Sequence, residues 1–229
     1  MHFKNIEVPD HIMDEWQGTV DMVAKLVDVP AGLIMRIVDE DIQVFLASRN
    51  PENPYNPGDR EHLPGSGLYC ETVIKTGRSL CVPDALADPD WKNNPDVKLG
   101  MISYLGFPIY YPDRKPFGTI CILDKKANPY SKTIRGLLEK LRHLVETQLH
   151  LLCMNAALGD SNKEMRDYLD ELQALRGIVT ICAGCKKVRE QDGSWKPVEK
   201  YLVRHPHTDF SHSYCPACYE KAMEGKDLP

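Results

Sequence analysis

Apolar residues recur every three or four positions from His11 to Leu26, at Ile12, Trp16, Val20, Val23 and Leu26. That period predicts an amphipathic helix. Beyond it the period changes. In "VPAGLIMRIVDEDIQVFLAS" two apolar runs flank Asp39-Glu40-Asp41, which reads as two strands joined by a tight acidic turn. Residues Asn50 to Gly67 are dense in Pro, Gly and Asn and predict an exposed loop. "LYCETVIKTG" predicts a short helix ending at Gly77, and "SLCVPD" a strand. "ALADPDWKNNPDVKLG" reads as irregular or short-helical, and "ISYLGFPIYY" with "PFGTICILD" as a hairpin around "PDRK". This order describes an α+β domain with a mainly antiparallel sheet.

After Pro129 the pattern becomes helical. Ser131 is a candidate N-cap. Ile134, Leu138, Leu141, Val145 and Leu152 form one stripe, and Leu137, Leu144, Leu151 and Leu158 a second at heptad spacing. Gly159 is expected to interrupt the helix, with Ser161 and Glu164 as a capping box for a second piece. That piece carries Met165, Tyr168, Leu172, Leu175 and Val179, spaced 3-4-3-4. One stripe can cover the sheet. The other has little in this chain to cover it, which favours a parallel homodimeric coiled coil over intramolecular packing.

Composition narrows the function classes. The net charge of −5 argues against a broad basic field for nucleic acid. No apolar run reaches membrane-spanning length, and "MHFKNIEVPDHIMDEW" has no apolar signal core, so the expectation is a cytoplasmic chain without a membrane partner. Thiols stay reduced there, so clustered cysteines favour metal binding or catalysis over structural disulfides.

Of eight cysteines, four cluster as Cys182-x2-Cys185 and Cys215-x2-Cys218. Two Cys-x-x-Cys pairs supply the four thiolates of a tetrahedral zinc site. Cys215 with Pro216 fits the start of a helix, where the dipole stabilises thiolate. Asp192-Gly193 signals a hairpin between the pairs, and "VEKYLVRH" a short helix. Knuckle, hairpin and helix-borne second pair is the order of a treble-clef-like module. The rivals are a redox device at Cys215-Pro-Ala-Cys218 and an iron–sulfur cluster. Nothing before Cys215 reads as the strand of a βαβ unit and a lone redox motif needs no second Cys-x-x-Cys, which counts against redox, and regular structure between the pairs counts against iron. His212 is a further candidate, as a ligand or as a partner to one. Between Val179 and Pro229, eight Lys/Arg stand against seven Asp/Glu, a poor footprint for phosphate. A protein-docking or purely structural module fits better than a transcriptional accessory.

Residues 11–150 resemble GAF domains, the small-molecule sensing modules of bacterial signalling proteins. The resemblance rests on "WQGTVDMVAKLVDVPAGLIMRI", on "SGLYCETVIKTGRSLCVPDALADPDWKNNPDV" and on "ISYLGFPIYYPDRKPFGTICILD". It implies a six-stranded antiparallel sheet with helices on one face and a capped ligand pocket on the other. It also implies pocket positions at Cys70, Asp84, Trp91, Tyr104, Phe107, Thr119 and Cys121. Trp91 reads equally as a lid or a core cap, and Asp84 more simply as a turn former. The cysteines read as small core residues. One enzyme branch of this fold reduces free methionine sulfoxide, but the local sequence around these cysteines differs from it. A tetrapyrrole would need His62 or Cys70, yet the Cys-His pair of bilin attachment is absent. The tail from Ile181 resembles cysteine-rich modules appended to bacterial sensor and receiver domains. No phosphate loop, kinase motif or phosphoacceptor pattern stands in the sequence, so no enzymatic output is expected. The expected organisation is a sensory domain at 1–130, whose final helix continues to about 150, a helical connector at 131–178 and a four-cysteine zinc module at 179–229. The expected partners are a small-molecule ligand, a second copy and a signalling protein.

Overall fold

The computed structural model describes residues 6–190, 192–202 and 209–225. The chain divides into two compact units, Met1–Ala157 and Leu158–Pro229. Among the described residues no helix is long and apolar enough to cross a membrane.

In the first unit, α1 (Asp10–Val27) buries Trp16, Val20, Val23 and Ala24 and stops at Asp28, which takes the left-handed conformation. Val27, not Leu26, continues the buried stripe, and Leu26 is exposed. β1 (Ala31–Val38) and β2 (Asp41–Ala47) form the expected hairpin. The long loop contains a three-residue strand, β3 (Arg60–His62), paired with β2. Its residues are all polar, so no apolar period announces it. α2 (Tyr69–Thr76) ends at left-handed Gly77, and β4 (Leu80–Val82) follows. A 3-10 turn at Pro95–Leu99 precedes the hairpin β5 (Ser103–Tyr110) and β6 (Pro116–Asp124). The six strands run β3-β2-β1-β6-β5-β4, each neighbouring pair antiparallel. Gly118 lets β6 lie against β1: a Cβ there would collide with the Met35 carbonyl.

The sheet has two apolar faces. One carries Ile34, Leu46, Leu105, Ile109, Ile120 and Ile122 and is covered by α1 and by α3 (Lys132–Gly177), through Leu138, Val145, Leu149 and Cys153. The other carries Leu33, Met35, Ile42, Val44, Tyr104, Cys121 and Leu123 and is covered by α2 and the loops. Strand alternation assigns these residues to their faces, except that a bulge at Phe45 in β2 moves Leu46 to the face opposite Ile42 and Val44.

Ser131 caps α3, its Oγ accepting from Ile134 N at 3.2 Å. The helix continues through Gly159 without a break, correcting the expected interruption. A helical glycine costs only about 1 kcal/mol relative to Ala, and Ala156, Ala157 and Leu158 before it are good helix formers. Val179 belongs to a strand and not to the helical stripe: the helix ends at Gly177, and β-branched Ile178, Val179 and Thr180 enter β7 (Ile178–Cys182). The Leu175 side chain lies outside the described residues. Leu144, Leu151, Leu158, Met165 and Leu172, seven apart throughout, are half or more exposed.

The second unit holds a sheet in the order β10-β7-β8-β9, with β8 at Val188–Arg189, β9 at Trp195–Lys196 and β10 at Asp209–Ser213. The β8–β9 hairpin turns at Asp192-Gly193, where Asp192 Oδ1 accepts from Ser194 N at 2.9 Å. α4 (Val198–Leu202) and α5 (Pro216–Met223) complete it. β10 pairs with β7 in parallel. Nothing before Cys215 reads from the sequence as the strand of a βαβ unit, and "DFSHS" lacks the apolar run that marks a strand.

Candidate functional site

A cavity of about 510 Å³ lies on the second sheet face. Leu33, Met35, Ile42, Val44 and Leu123 make its apolar floor. Tyr104, Cys70 and Cys121 stand at one end. Tyr104 reaches there because its strand neighbour Gly106 has no side chain; a Cβ at 106 would collide with the Tyr104 ring. Tyr69 stacks on Tyr104 at 4.8 Å between ring centres and meets Trp91 at 5.3 Å, building an aromatic wall.

Asp96 closes the cavity from the 3-10 turn and is 8% exposed. Tyr55 Oη, from the long loop, donates to Asp96 Oδ1 at 2.7 Å. Asn94 fixes the turn: its Oδ1 accepts from Asp96 N at 2.9 Å and its Nδ2 donates to Gly67 O at 2.7 Å. Glu71 holds the same loop by accepting from Gly65 N and Gly67 N. Burial, helped by the charge of Glu61 and opposed by the Tyr55 hydrogen bond, pushes Asp96 up to about 6. Burial first, then the charge of Asp96, raises Tyr55; burial first, then Cys70 and Cys121, raises Tyr104. The thiol of Cys121 is the main cause lowering Cys70, against the effect of burial, and that of Cys70 the main cause raising Cys121. Cys70 Sγ also lies 3.3 Å from Thr119 Oγ1 and 3.5 Å from Tyr104 Oη.

The residues picked from the sequence divide. Cys70, Tyr104 and Cys121 line the cavity, and Thr119 touches Cys70 from the same face. Phe107 lies on the opposite face, in the core under the helices, because β5 alternates and Phe107 shares parity with Leu105 and Ile109. Asp84 accepts from Leu86 N at 2.9 Å in a local turn and does not line the cavity. Trp91 packs on Tyr69 behind the wall. His62 is exposed and pairs with Asp41. The sequence reading missed Tyr55 and Asp96. Two signals pointed to them: a lone aromatic in the long polar loop, and an acidic residue straight after Pro95 at a turn start.

In the second unit the Sγ atoms of Cys182, Cys185, Cys215 and Cys218 lie within 4.8 Å of one another. Cys182 ends β7 and Cys185 follows in a knuckle closed by Lys186 N donating to Cys182 O at 2.9 Å. Cys215 is the N-cap of α5 and its N–H donates to Cys182 Sγ at 3.1 Å. Backbone donors, led by Cys215 N, overcome burial and lower Cys182, while burial and the neighbouring sulfurs raise Cys218. Four cysteine sulfurs this close could hold a metal ion, and thiolate donors suit a soft or borderline cation. The His212 side chain lies outside the described residues.

An antiparallel sheet with helices on one face and a capped cavity on the other defines a small α+β pocket domain. The GAF-domain family profile matches residues 14–149, more than half of the chain, and the chain belongs to that family. No curated protein matches it. Among solved structures, free methionine-R-sulfoxide reductase from Neisseria meningitidis, in complex with its substrate, aligns at TM-score 0.52 and 12% identity over 63% of this chain and 81% of that one. The blue-light absorbing form of the PixJ GAF domain from Thermosynechococcus elongatus aligns at 0.50 and 14%, over 67% and 98%. Bacteriophytochrome RpBphP3 from R. palustris aligns at 0.52 and 15%, over 76% and 41%. At these identities the likeness establishes the fold alone.

Proposed function

We propose that the chain is a homodimeric sensor that binds a small organic molecule in the first unit and reports it through α3 to a zinc-holding module that docks a signalling protein. The observation that carries this reading is the cavity. It is pocket-sized, floored by apolar residues, and ends in a few convergent polar groups. Cys70, Tyr104 and Cys121 contact the ligand in this reading, with Thr119 supporting Cys70. A ligand favouring one state of the sheet shifts whatever packs on its other face, and α3 packs there. The exposed heptad stripe of α3 supports the dimer.

Zinc is the metal the cysteine cluster fits best. Zinc–thiolate bonds of about 2.3 Å in a tetrahedron set sulfurs about 3.8 Å apart, and Cys185 Sγ to Cys215 Sγ is 3.8 Å. The metal would hold the knuckle onto the start of α5. Native mass spectrometry of the chain purified from its own host tests the sensor: a stoichiometric organic adduct on the first unit supports it, and an adduct-free chain refutes it.

A second reading rests on Cys70 and Cys121 lining one cavity. Two thiols can reduce a bound sulfoxide to sulfide and water as they oxidise to a disulfide. Turnover of free methionine sulfoxide, with thioredoxin and its reductase supplying electrons, would replace the sensor with an enzyme if it survives Cys215→Ser and dies with Cys121→Ser.

A further inference from the structure

Asp96 is more than nine-tenths buried, faces the cavity, and receives one hydrogen bond, from Tyr55 Oη to Oδ1. Among the described residues no Lys, Arg or His side chain reaches its carboxylate within 4.0 Å. A buried carboxylate without a cation is expensive, and folded chains supply a partner unless a ligand does. The one charge that acts appreciably on it, Glu61, has the same sign. Arg60 and Lys98 line the cavity only at its exposed rim, where water screens them. A metal ion fits poorly, because a hard cation needs several oxygen ligands and the floor beneath is Leu33, Met35, Val44 and Leu123.

We propose that Asp96 is a subsite for a cationic nitrogen, so that the molecule held in this cavity is an amine, amidine or guanidine on an apolar body. The inference rests on the reading of the cavity as a ligand site and names the class of ligand. The cationic group meets the free oxygen of Asp96 in a charge-assisted hydrogen bond, Tyr55 holds the other oxygen, and the apolar body lies on the sheet. Anionic molecules are disfavoured at this end by Asp96 and Glu61 together.

The test uses the full chain and three probes of one shape: 2-phenylethylamine, 2-phenylethanol and 3-phenylpropionate, each at millimolar concentration, read by calorimetry and thermal shift. Wild type is expected to bind the amine about tenfold more tightly than the alcohol, the equivalent of one charge-assisted hydrogen bond. Asp96→Asn keeps the acceptor for Tyr55 and is expected to erase that preference. In wild type the preference should fade as the pH drops through about 6. Tyr55, Glu61, Lys98, Tyr69, Cys70, Tyr104 and Cys121 also face this end from the surrounding elements, and loss of the pH effect in Asp96→Asn separates Asp96 from them. A wild type that prefers the alcohol or the carboxylate, or an Asn variant that keeps the amine preference, overturns the subsite. Silence of all three probes overturns it as well. The sensor reading is judged separately by the copurified adduct, which involves none of these probes.

Discussion

Replacing Asp96 with Asn should stabilise the protein at neutral pH, although it removes a hydrogen-bonded charge. Burial pushes the carboxyl from 3.8 to about 6. At 1.36 kcal/mol for each pKa unit, ionised Asp96 costs the folded state about 3 kcal/mol. The sign follows from proton binding. Between 3.8 and about 6 the folded chain holds the proton more tightly than the unfolded one, so stability rises as pH falls through that window. Above it the whole penalty is present, and below it there is none. Asn has similar volume and keeps an acceptor for Tyr55 Oη, but its amide leaves a partly desolvated donor costing about 1 kcal/mol. The net gain is about 2 kcal/mol at pH about 8, a rise in Tm of about 4–8 °C for a unit of this size. Urea denaturation of wild type and variant across the acid range measures it directly, and the two curves should cross as the pH falls towards the ordinary carboxyl value, the variant ending about 1 kcal/mol the less stable. A variant less stable than wild type at pH 8, or a difference that does not change with pH, would refute the reasoning. A residue that costs stability in the empty protein is best explained by what it binds.

The cysteine cluster should carry one zinc per chain by elemental analysis, and Cys182→Ser or Cys218→Ser should lose the metal and unfold the second unit while the first keeps its melting transition, since metal binding and folding of such a module are one event; iron with visible absorbance in place of zinc would count against it. Light scattering should find a dimer at micromolar concentration, and Leu144→Glu with Leu151→Glu should give monomers, because glutamates placed in an apolar seam are buried without partners; a monomeric wild type sinks the claim. Phe107→Ala should lower stability by about 2–3 kcal/mol and leave probe affinity in the cavity unchanged, the opposite outcome from Tyr104→Phe, which should alter affinity more than stability.

Much of the first unit was readable because its signals are periodic. α1, the β1–β2 hairpin, α2 with its Gly77 stop and the β5–β6 hairpin all announce themselves by apolar period and turn residues. β3 did not, since a three-residue edge strand of Arg, Glu and His has no apolar face and exists because β2 offers it an edge. Phe107 shows how a site is misread from a motif: an aromatic in a pocket strand faces either side, and only parity with Leu105 decides. Asp96 and Tyr55 are distant in sequence and meet only through the fold, so no local spacing links them. Val179 was misplaced because 3-4 spacing was carried past Gly177, where β-branched residues take over. The two Cys-x-x-Cys pairs were legible because each pair is a local geometry in itself.

β5 connects the cavity to α3 inside the first unit. Its near end carries Tyr104, which lines the cavity. Its far end, Tyr110, is held to α3 through both backbone polar groups of one residue: Tyr110 N donates to Glu146 Oε1 at 3.0 Å, and His150 Nε2 contacts Tyr110 O at 2.9 Å. Arg142 holds Glu146 in turn at 2.5 Å, with both side chains largely buried. Between these ends Leu105, Phe107 and Ile109 pack in the core that α3 covers. A strand is stiff along its length, and a close-packed core passes displacement on rather than absorbing it. Contiguity alone does not make a signal; a ligand must favour one arrangement over another. The unpaired charge of Asp96 supplies such a bias in principle, because the cap that bears it is costly when empty and relieved when a cation fills the cavity.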